Sequence, residues 1–272
     1  MVIPAYAGSL NTKNNRETAL ITGASTGIGL ELARLMARDF DLILTARNQS
    51  RLEQIARELQ EQHGNLVHVI PADLTRTEAP SKIFADIGWR GLRVDALVNN
   101  AGFGAYGEFA KSDVQTELEM IQLNVTAVTH LTKLALPWML ERKRGRILNV
   151  ASTAGFLPGP LMAVYYATKG YVISFSEAIA NELAGSGVTV TCLCPGATDT
   201  EFAKRADMLE SRLFKMGTMR PEEVASAGYE AMLRGKTLVI PGVKNWLMAE
   251  SVRLAPRKMV AAIARTVQER AE

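Results

Sequence analysis

The feature that most constrains this chain is an alternation: short, continuous apolar runs rich in Val, Ile and Leu separated by longer amphipathic stretches. The runs lie at 18–22, 41–46, 67–71, 96–99, 146–151, 188–195 and 237–241. Hydrophobicity that is continuous rather than alternating predicts strands covered on both faces, the environment of a parallel sheet. Helical periodicity runs through 30–38, 51–63, 114–141, 163–184 and 221–233. Carried to the end of the chain, this alternation predicts an α/β fold: a single Rossmann-type, doubly wound domain with a seven-stranded parallel sheet and helices on both faces. No Pro/Gly/Ser-rich linker and no internal repeat breaks it, so residues 17–244 read as one domain. An N-terminal extension over 1–16 precedes it and a helical tail over 245–272 follows. Residues 197–220, rich in charge and Met, fall outside the alternation and read as a flap.

Composition removes several classes. With 47% hydrophobic and 22% charged residues the chain is an ordinary globular one rather than a disordered one. A net charge of +3 leaves no footprint for nucleic acid. Cys192 and Cys194 are too few for a disulfide framework and fit a reducing compartment. They alternate along one strand, and with no further ligands nearby they read as small buried groups rather than a metal site. His63, His68 and His130 are scattered without metal-ligand spacing, so no metal is expected. No apolar stretch reaches the roughly 18 residues of a membrane span. The first residues lack the basic segment and apolar core of a signal peptide, so a cytoplasmic location is expected. Arg142, Lys143, Arg144 and Arg146 read as a solvated basic turn.

The first strand runs directly into Thr22-Gly23-Ala24-Ser25-Thr26-Gly27-Ile28-Gly29, and a helix follows. Glycines there let the backbone approach a pyrophosphate whose charge sits at the helix N-terminus. Glycine also serves ordinary turns, so it is the position between a first strand and a first helix that makes dinucleotide binding the stronger reading. At the end of the second strand, where an acid would take the ribose 2′-hydroxyl of NAD, the residues are Ala46-Arg47. The missing acid and the adjacent guanidinium point to the 2′-phosphate of NADP(H).

Tyr165 and Lys169 share a helix face. A phenol can donate its proton to a carbonyl oxygen as hydride reaches the carbon, but its reference pKa of about 10 is high for exchange near neutrality. An ammonium about 4 Å away supplies the roughly 3–4 kcal/mol that lowers it by two or three units. Tyr-x-x-x-Lys is common by chance; its company is what counts here. Ser152 ends the fifth strand candidate and Asn99-Asn100-Ala101-Gly102 ends the fourth, both at the sheet edge where open α/β folds bind ligands. Asn124 lies in the helix after the fourth strand, and Tyr166 is an adjacent decoy with Gly170 at i+4.

These residues resemble the short-chain dehydrogenase/reductase family over about residues 17–242. Its glycine signature reads without departure from Thr22 to Gly29, its Asn-Asn-Ala-Gly motif matches Asn99 to Gly102, and Asp95 precedes that motif. Ser152 stands 13 residues before Tyr165, a spacing usual in the family. The resemblance implies that Asn124, Ser152, Tyr165 and Lys169 are catalytic: Tyr165 as general acid or base, Ser152 on the developing alkoxide, Lys169 on the phenol and nicotinamide ribose, and Asn124 anchoring a water behind Lys169. It further implies that Gly23, Ser25, Thr26, Gly27, Ile28, Gly29, Arg47, Asp73, Leu74, Asn100, Ala101, Gly102, Pro195, Gly196 and Thr198 contact NADP(H), together with Tyr165 and Lys169.

The flank of Tyr165 (156–162), the segment 103–109 and the flap residues Phe202, Met208, Leu209, Leu213 and Phe214 are apolar, which favours a hydrophobic carbonyl or alcohol: a 3-oxoacyl thioester, a steroid ketone or a similar substrate. Lys204, Arg205, Arg212 and Lys215 read as a solvated face ahead of a carrier-phosphate site. The tail reads first as a subunit interface or pocket cover, and second as a weak peripheral membrane contact through Arg253, Arg257, Lys258 and Arg265. The family implies a homodimer or homotetramer. The competing reading is a non-catalytic NADP(H) sensor; an epimerase or dehydratase would resemble a different glycine spacing and a larger substrate domain.

Overall fold

A computed structural model describes residues 16–206, 208, 211–215 and 217–269. The N-terminal extension up to residue 15 lies outside the described residues, as do Leu209 and the side chains of Lys204, Arg205, Leu213 and Phe214. Seven strands form one sheet: β1 (Glu17–Thr22), β2 (Phe40–Thr45), β3 (Val67–Val69), β4 (Ala96–Asn99), β5 (Gly145–Val150), β6 (Val188–Leu193) and β7 (Leu238–Val239). Their order is β3-β2-β1-β4-β5-β6-β7, and every pairing is parallel. The order reverses between β1 and β4, which opens a crevice at their C-terminal ends.

Successive strand residues feed opposite layers, and both layers are covered. Ala19 and Ile21 of β1 pack with Ala33 and Met36 of α1 (Gly27–Met36) and with Val224 and Met232 of α9 (Pro221–Leu233). Leu20 of β1 and Leu97 of β4 pack the other way, against Ile83 and Ile87 of α3 (Ala79–Trp89) and Leu131 and Ala135 of α5 (Val128–Glu141). Burial on both sides is why the strand runs read as continuously apolar. The helix α2 (Gln49–His63) covers the β2–β3 edge.

Three details depart from the sequence expectation. The helix α3 was not anticipated: it is short, has Pro80 in its first turn and shows only Ile83, Phe84 and Ile87 as a stripe. The stretch 114–141 is not one regular helix, because α4 (Val114–Ile121) passes into a wide π turn over Gln122–Ala127 before α5 begins. The basic cluster is a solvated turn only at Lys143, because its three arginines are paired. Arg142 donates to Asp95 at 2.9 Å, while Arg144 and Arg146 hold Glu17 at 2.6 and 2.9 Å. Asp95 also accepts from the Thr18 amide at 2.9 Å, so these charges tie the N-terminal edges of β1, β4 and β5 together.

The flap region contains two short helices, α7 (Glu201–Arg205) and α8 (Arg212–Lys215), and returns through a parallel bridge from Thr198 to Met219. The tail is two helices, α10 (Val243–Ser251) and α11 (Arg257–Gln268), broken where Pro256 precedes the second. No described helix is long and apolar enough to cross a membrane.

Candidate active site

The crevice is assembled by main-chain contacts first. The Thr22 hydroxyl donates to the Val98 carbonyl at 3.1 Å and accepts from the Asn100 and Ala101 amides at 3.0 and 3.1 Å. One side chain thus clamps the ends of β1 and β4 across the switch point. Asn100 returns the contact, donating its side-chain amide to the carbonyls of Thr22 at 2.9 Å and Gly23 at 3.2 Å. A Cβ on Gly29 would run into the Gly23 carbonyl and the Asn100 amide, so the tight loop admits only glycine there. Gly27 sits at φ +57°, a backbone conformation that costs other residues energy.

Beyond the loop, α1 begins with its first amides unclaimed. Thr26 at its N-cap makes no side-chain capping bond, and no acidic residue occupies the first turn. Ser25, Thr26, Gly27 and Ile28 line the cavity, so these donors and the positive end of the helix fit a diphosphate. Arg47, exposed just past β2, lines the same cavity, and no carboxylate follows it, because Asn48 is engaged in capping α2 through the Arg51 amide at 3.0 Å. Burial pushes the Asp73 carboxyl up, but two hydrogen bonds from Thr75 and the charges of Arg47 and Arg76 hold it below the usual carboxylate value. Leu74, Ala101 and Gly102 complete this wall. The residues present therefore fit a dinucleotide, on the strength of a glycine cradle, free helix amides and a cation at the ribose end.

The other end holds the four polar residues expected from the sequence. Tyr165 and Lys169 sit one turn apart on α6 (Ala163–Glu182), 8% and 6% exposed. The Lys169 ammonium donates to the Val150 carbonyl at 2.9 Å and lies 5.8 Å from the centre of the Tyr165 ring. Ser152 caps the short turn Thr153–Phe156 by accepting from the Ala154 amide at 3.1 Å, and its hydroxyl makes a long 3.3 Å contact to the Pro195 carbonyl. Asn124 lies in the π turn, a distortion that recurs at functional sites. Its amide holds the Phe103 carbonyl at 2.9 Å and Thr168 at 3.1 Å, and its oxygen accepts from the Phe103 amide at 3.2 Å. With the side chain so committed, Asn124 pins the loop after β4 against α6, directly behind Lys169. Pro195 and Gly196 line the cavity, and Thr198 is turned to the Gly196 carbonyl at 3.0 Å.

The electrostatics differ from the expectation of an ammonium lowering the phenol. Burial pushes Tyr165 well above the usual phenol value; a hydrogen bond from Ser152 opposes this and Tyr166 adds to it. Burial also lowers Lys169 to about 8, against a small opposing effect of Cys192 and Cys194. Both groups sit in the same dry wall, where a neutral phenol and a weakened ammonium are the favoured forms. The two cysteines face one side, their sulfurs 3.7 Å apart and buried. Among the described residues, no three His, Cys, Asp or Glu side chains cluster in a way that could hold a metal.

The sequence offered the tail as a subunit interface or pocket cover but did not name the residues that line the cavity. Met248, Val252, Val260 and Ala264 from α10 and α11 line the cavity. Tyr166, read as a decoy, is buried and hydrogen-bonded to Gln268 near the end of α11, and burial lifts its hydroxyl to about 12. Phe202 of α7 sets its ring 5.2 Å from that of Tyr165. Only a contact map could have joined Tyr166 to Gln268, since neither spacing nor composition links them.

A sequence profile described as "short chain dehydrogenase" matches residues 17–210. The chain is 33% identical over 225 residues to a "Ketoacyl reductase HetN" of a Nostoc species, covering 82% of this chain and 78% of that protein. It is 37% identical over 192 residues to the "Very-long-chain 3-oxoacyl-CoA reductase" of Anas platyrhynchos, covering 68% of this chain and 61% of that longer protein. A short-chain dehydrogenase from Sphingobium yanoikuyae, solved in complex with NADPH, superposes with a TM-score of 0.79 at 33% identity, covering 88% of this chain and 94% of that one. The chain belongs to the short-chain dehydrogenase family and is a nicotinamide-dependent oxidoreductase acting on CH–OH and C=O groups.

Proposed function

We propose that the chain is an NADP(H)-dependent reductase of ketones on hydrophobic skeletons, with 3-oxoacyl thioesters and steroid-like ketones as the substrate class. One observation carries the reading. A single cavity of about 1420 Å³ runs from the glycine loop and Arg47 to Ser152, Tyr165 and Lys169. Its far end is walled by Phe103, Leu157, Met162, Phe202 and Met208, which offer little to pair the hydroxyls of a sugar. The ketoacyl reductase relatives support the same substrate class.

The cofactor, when bound, supplies the hydride. The chain does the rest. Arg47 pairs the 2′-phosphate, and the free amides of α1 take the diphosphate. Tyr165, held neutral by its dry surroundings, keeps the proton that the carbonyl oxygen needs and gives it up as charge develops there. Ser152 turns its weakly engaged hydroxyl from Pro195 toward the same oxygen, an oxyanion-type stabilisation. Lys169 braces the phenol's environment and reaches the nicotinamide ribose. Asn124 acts by holding the wall behind Lys169. The exposed apolar row Val114, Leu118 and Ile121 on α4 supports a homo-oligomer, and the two free thiols support a cytoplasmic setting.

The test is NADPH and NADH consumption against a panel of 3-oxoacyl thioesters, steroid ketones, quinones and short polar ketones. Turnover with NADPH that rises with the apolar bulk of the ketone is expected. NADPH binding without turnover on any member would favour the non-catalytic sensor instead.

A further inference from the structure

We infer that the tail is a docking surface for an anionic lipid bilayer. The helix α10 packs one side inward and carries large apolar side chains on the other. Met248, Ala249 and Val252 point inward, where Ala249 is buried and Met248 and Val252 line the cavity. On the outer side Trp246, Leu247 and, just past the helix, Leu254 are 50%, 55% and 91% exposed, beside the Glu250–Arg253 pair. At about 100° per residue Trp246 and Leu247 flank Glu250 on one side of α10. A cluster of large exposed apolar side chains marks an interaction site.

Charge says what covers it. From 243 to 269 the chain carries Lys244, Arg253, Arg257, Lys258 and Arg265 against Glu250 and Glu269. Glu250 pairs with Arg253 at 3.1 Å and Glu269 with Arg265 at 3.4 Å. Lys244 lines the cavity, while Arg257 and Lys258 remain as exposed cations outside it. Arg257 and Lys258 occupy the first turn of α11, which holds no acid, so they face the positive end of that helix's dipole. The fold gains nothing from cations there; an external anion does. A second copy of the chain would bring the same cations face to face. A phosphate layer supplies the opposite charge, and the acyl layer beneath it accepts Trp246 and Leu254.

Met259 and Ile263, further along α11, line the cavity and are still 49% and 56% exposed, which gives the cavity an apolar rim beside the proposed contact. Delivery of a lipid-like ketone from the bilayer to this rim rests on the reductase reading. The docking itself does not.

Flotation of the full chain with phosphatidylcholine vesicles, with and without phosphatidylglycerol, tests the inference. Binding to the anionic vesicles is expected, at least about tenfold weaker in their neutral counterparts and in high salt. The pair Leu247→Asp with Leu254→Asp should abolish it. Arg257→Glu with Lys258→Glu should weaken it at least about tenfold. All four positions are exposed, so both variants should keep the parent's melting temperature. Equal binding to both vesicle types, or none to the anionic ones, overturns the inference. So does absence of vesicle binding with an oligomer that Leu247→Asp and Leu254→Asp dissociate, which assigns the face to a second copy.

Discussion

At one end of the cavity, the side chains of Thr22 and Asn100 bridge the main chains of β1 and the loop after β4 around close-packed glycines; at the other, Met162, Tyr165, Tyr166 and Met208 meet by apolar packing beneath a flap and a two-helix tail. The cofactor end tolerates almost no change of shape, because a single Cβ at Gly29 collides with backbone. The substrate end is a wall of flexible side chains that can be resized one residue at a time. The proposed reacting groups sit at the junction, on α6, anchored to the rigid half through Val150 and the π turn. A fold built this way can keep one chemistry while its substrate varies.

That contrast can be broken or sharpened by experiment. The largest effect belongs at the junction: Tyr165→Phe should lower turnover about a thousandfold while leaving NADPH affinity within a few-fold of the parent, read by steady-state kinetics and by cofactor fluorescence titration. A variant that turned over normally would move the chemistry away from the junction.

Next is the rigid half. Gly29→Ala should weaken NADPH binding by at least about a hundredfold, whereas Met248→Ala in the tail should leave NADPH binding unchanged and alter only the ketone's KM. Equal tolerance at the two sites in a titration would erase the distinction.

Lys169 gives a pH signature. Burial lowers it to about 8 from its ordinary 10.5, so between those values the unfolded chain holds more protons than the folded one. The folded parent therefore carries a penalty below pH 8 that is relieved as the pH rises toward 10.5. Relative to Lys169→Met, its stability should climb by roughly 3 kcal/mol across that window in denaturant melts. A flat difference would mean that the ammonium is not desolvated.

The smallest of the four effects is at Arg47. Arg47→Ala should weaken NADPH by about 10- to 100-fold and leave NADH unchanged, measured by titration of each cofactor.

The two halves were also unequally legible in the sequence. The glycine loop, Asn100 and Arg47 could be placed because backbone geometry demands particular residue types at fixed offsets from a strand end. The strand runs were visible because both sheet faces are buried, as Leu20 and Ile21 show by packing into opposite layers. The helix α3 escaped because Pro80, Gly88 and a short stripe dilute its periodicity. The π turn at Asn124 escaped because its residues, Gln-Leu-Asn-Val-Thr-Ala, suit an ordinary helix, and only packing against Phe103 and Thr168 widens it. The Tyr165 environment escaped because desolvation depends on what covers a group, and the cover comes from Met162, Tyr166 and Phe202. Tyr166–Gln268 is the extreme case: a contact between helices far apart in the chain that no local pattern encodes.

Hydride transfer to a hydrophobic ketone with Tyr165 as proton donor is tested with NADPH carrying deuterium at both C4 positions of the nicotinamide. The parent chain is offered a long-chain 3-oxoacyl thioester, and the product is read by mass spectrometry. The expected product is an alcohol carrying one deuterium at the former carbonyl carbon, formed about a thousandfold more slowly by Tyr165→Phe. Cofactor that binds while the ketone is recovered unlabelled, or labelled equally fast by the variant, would contradict it.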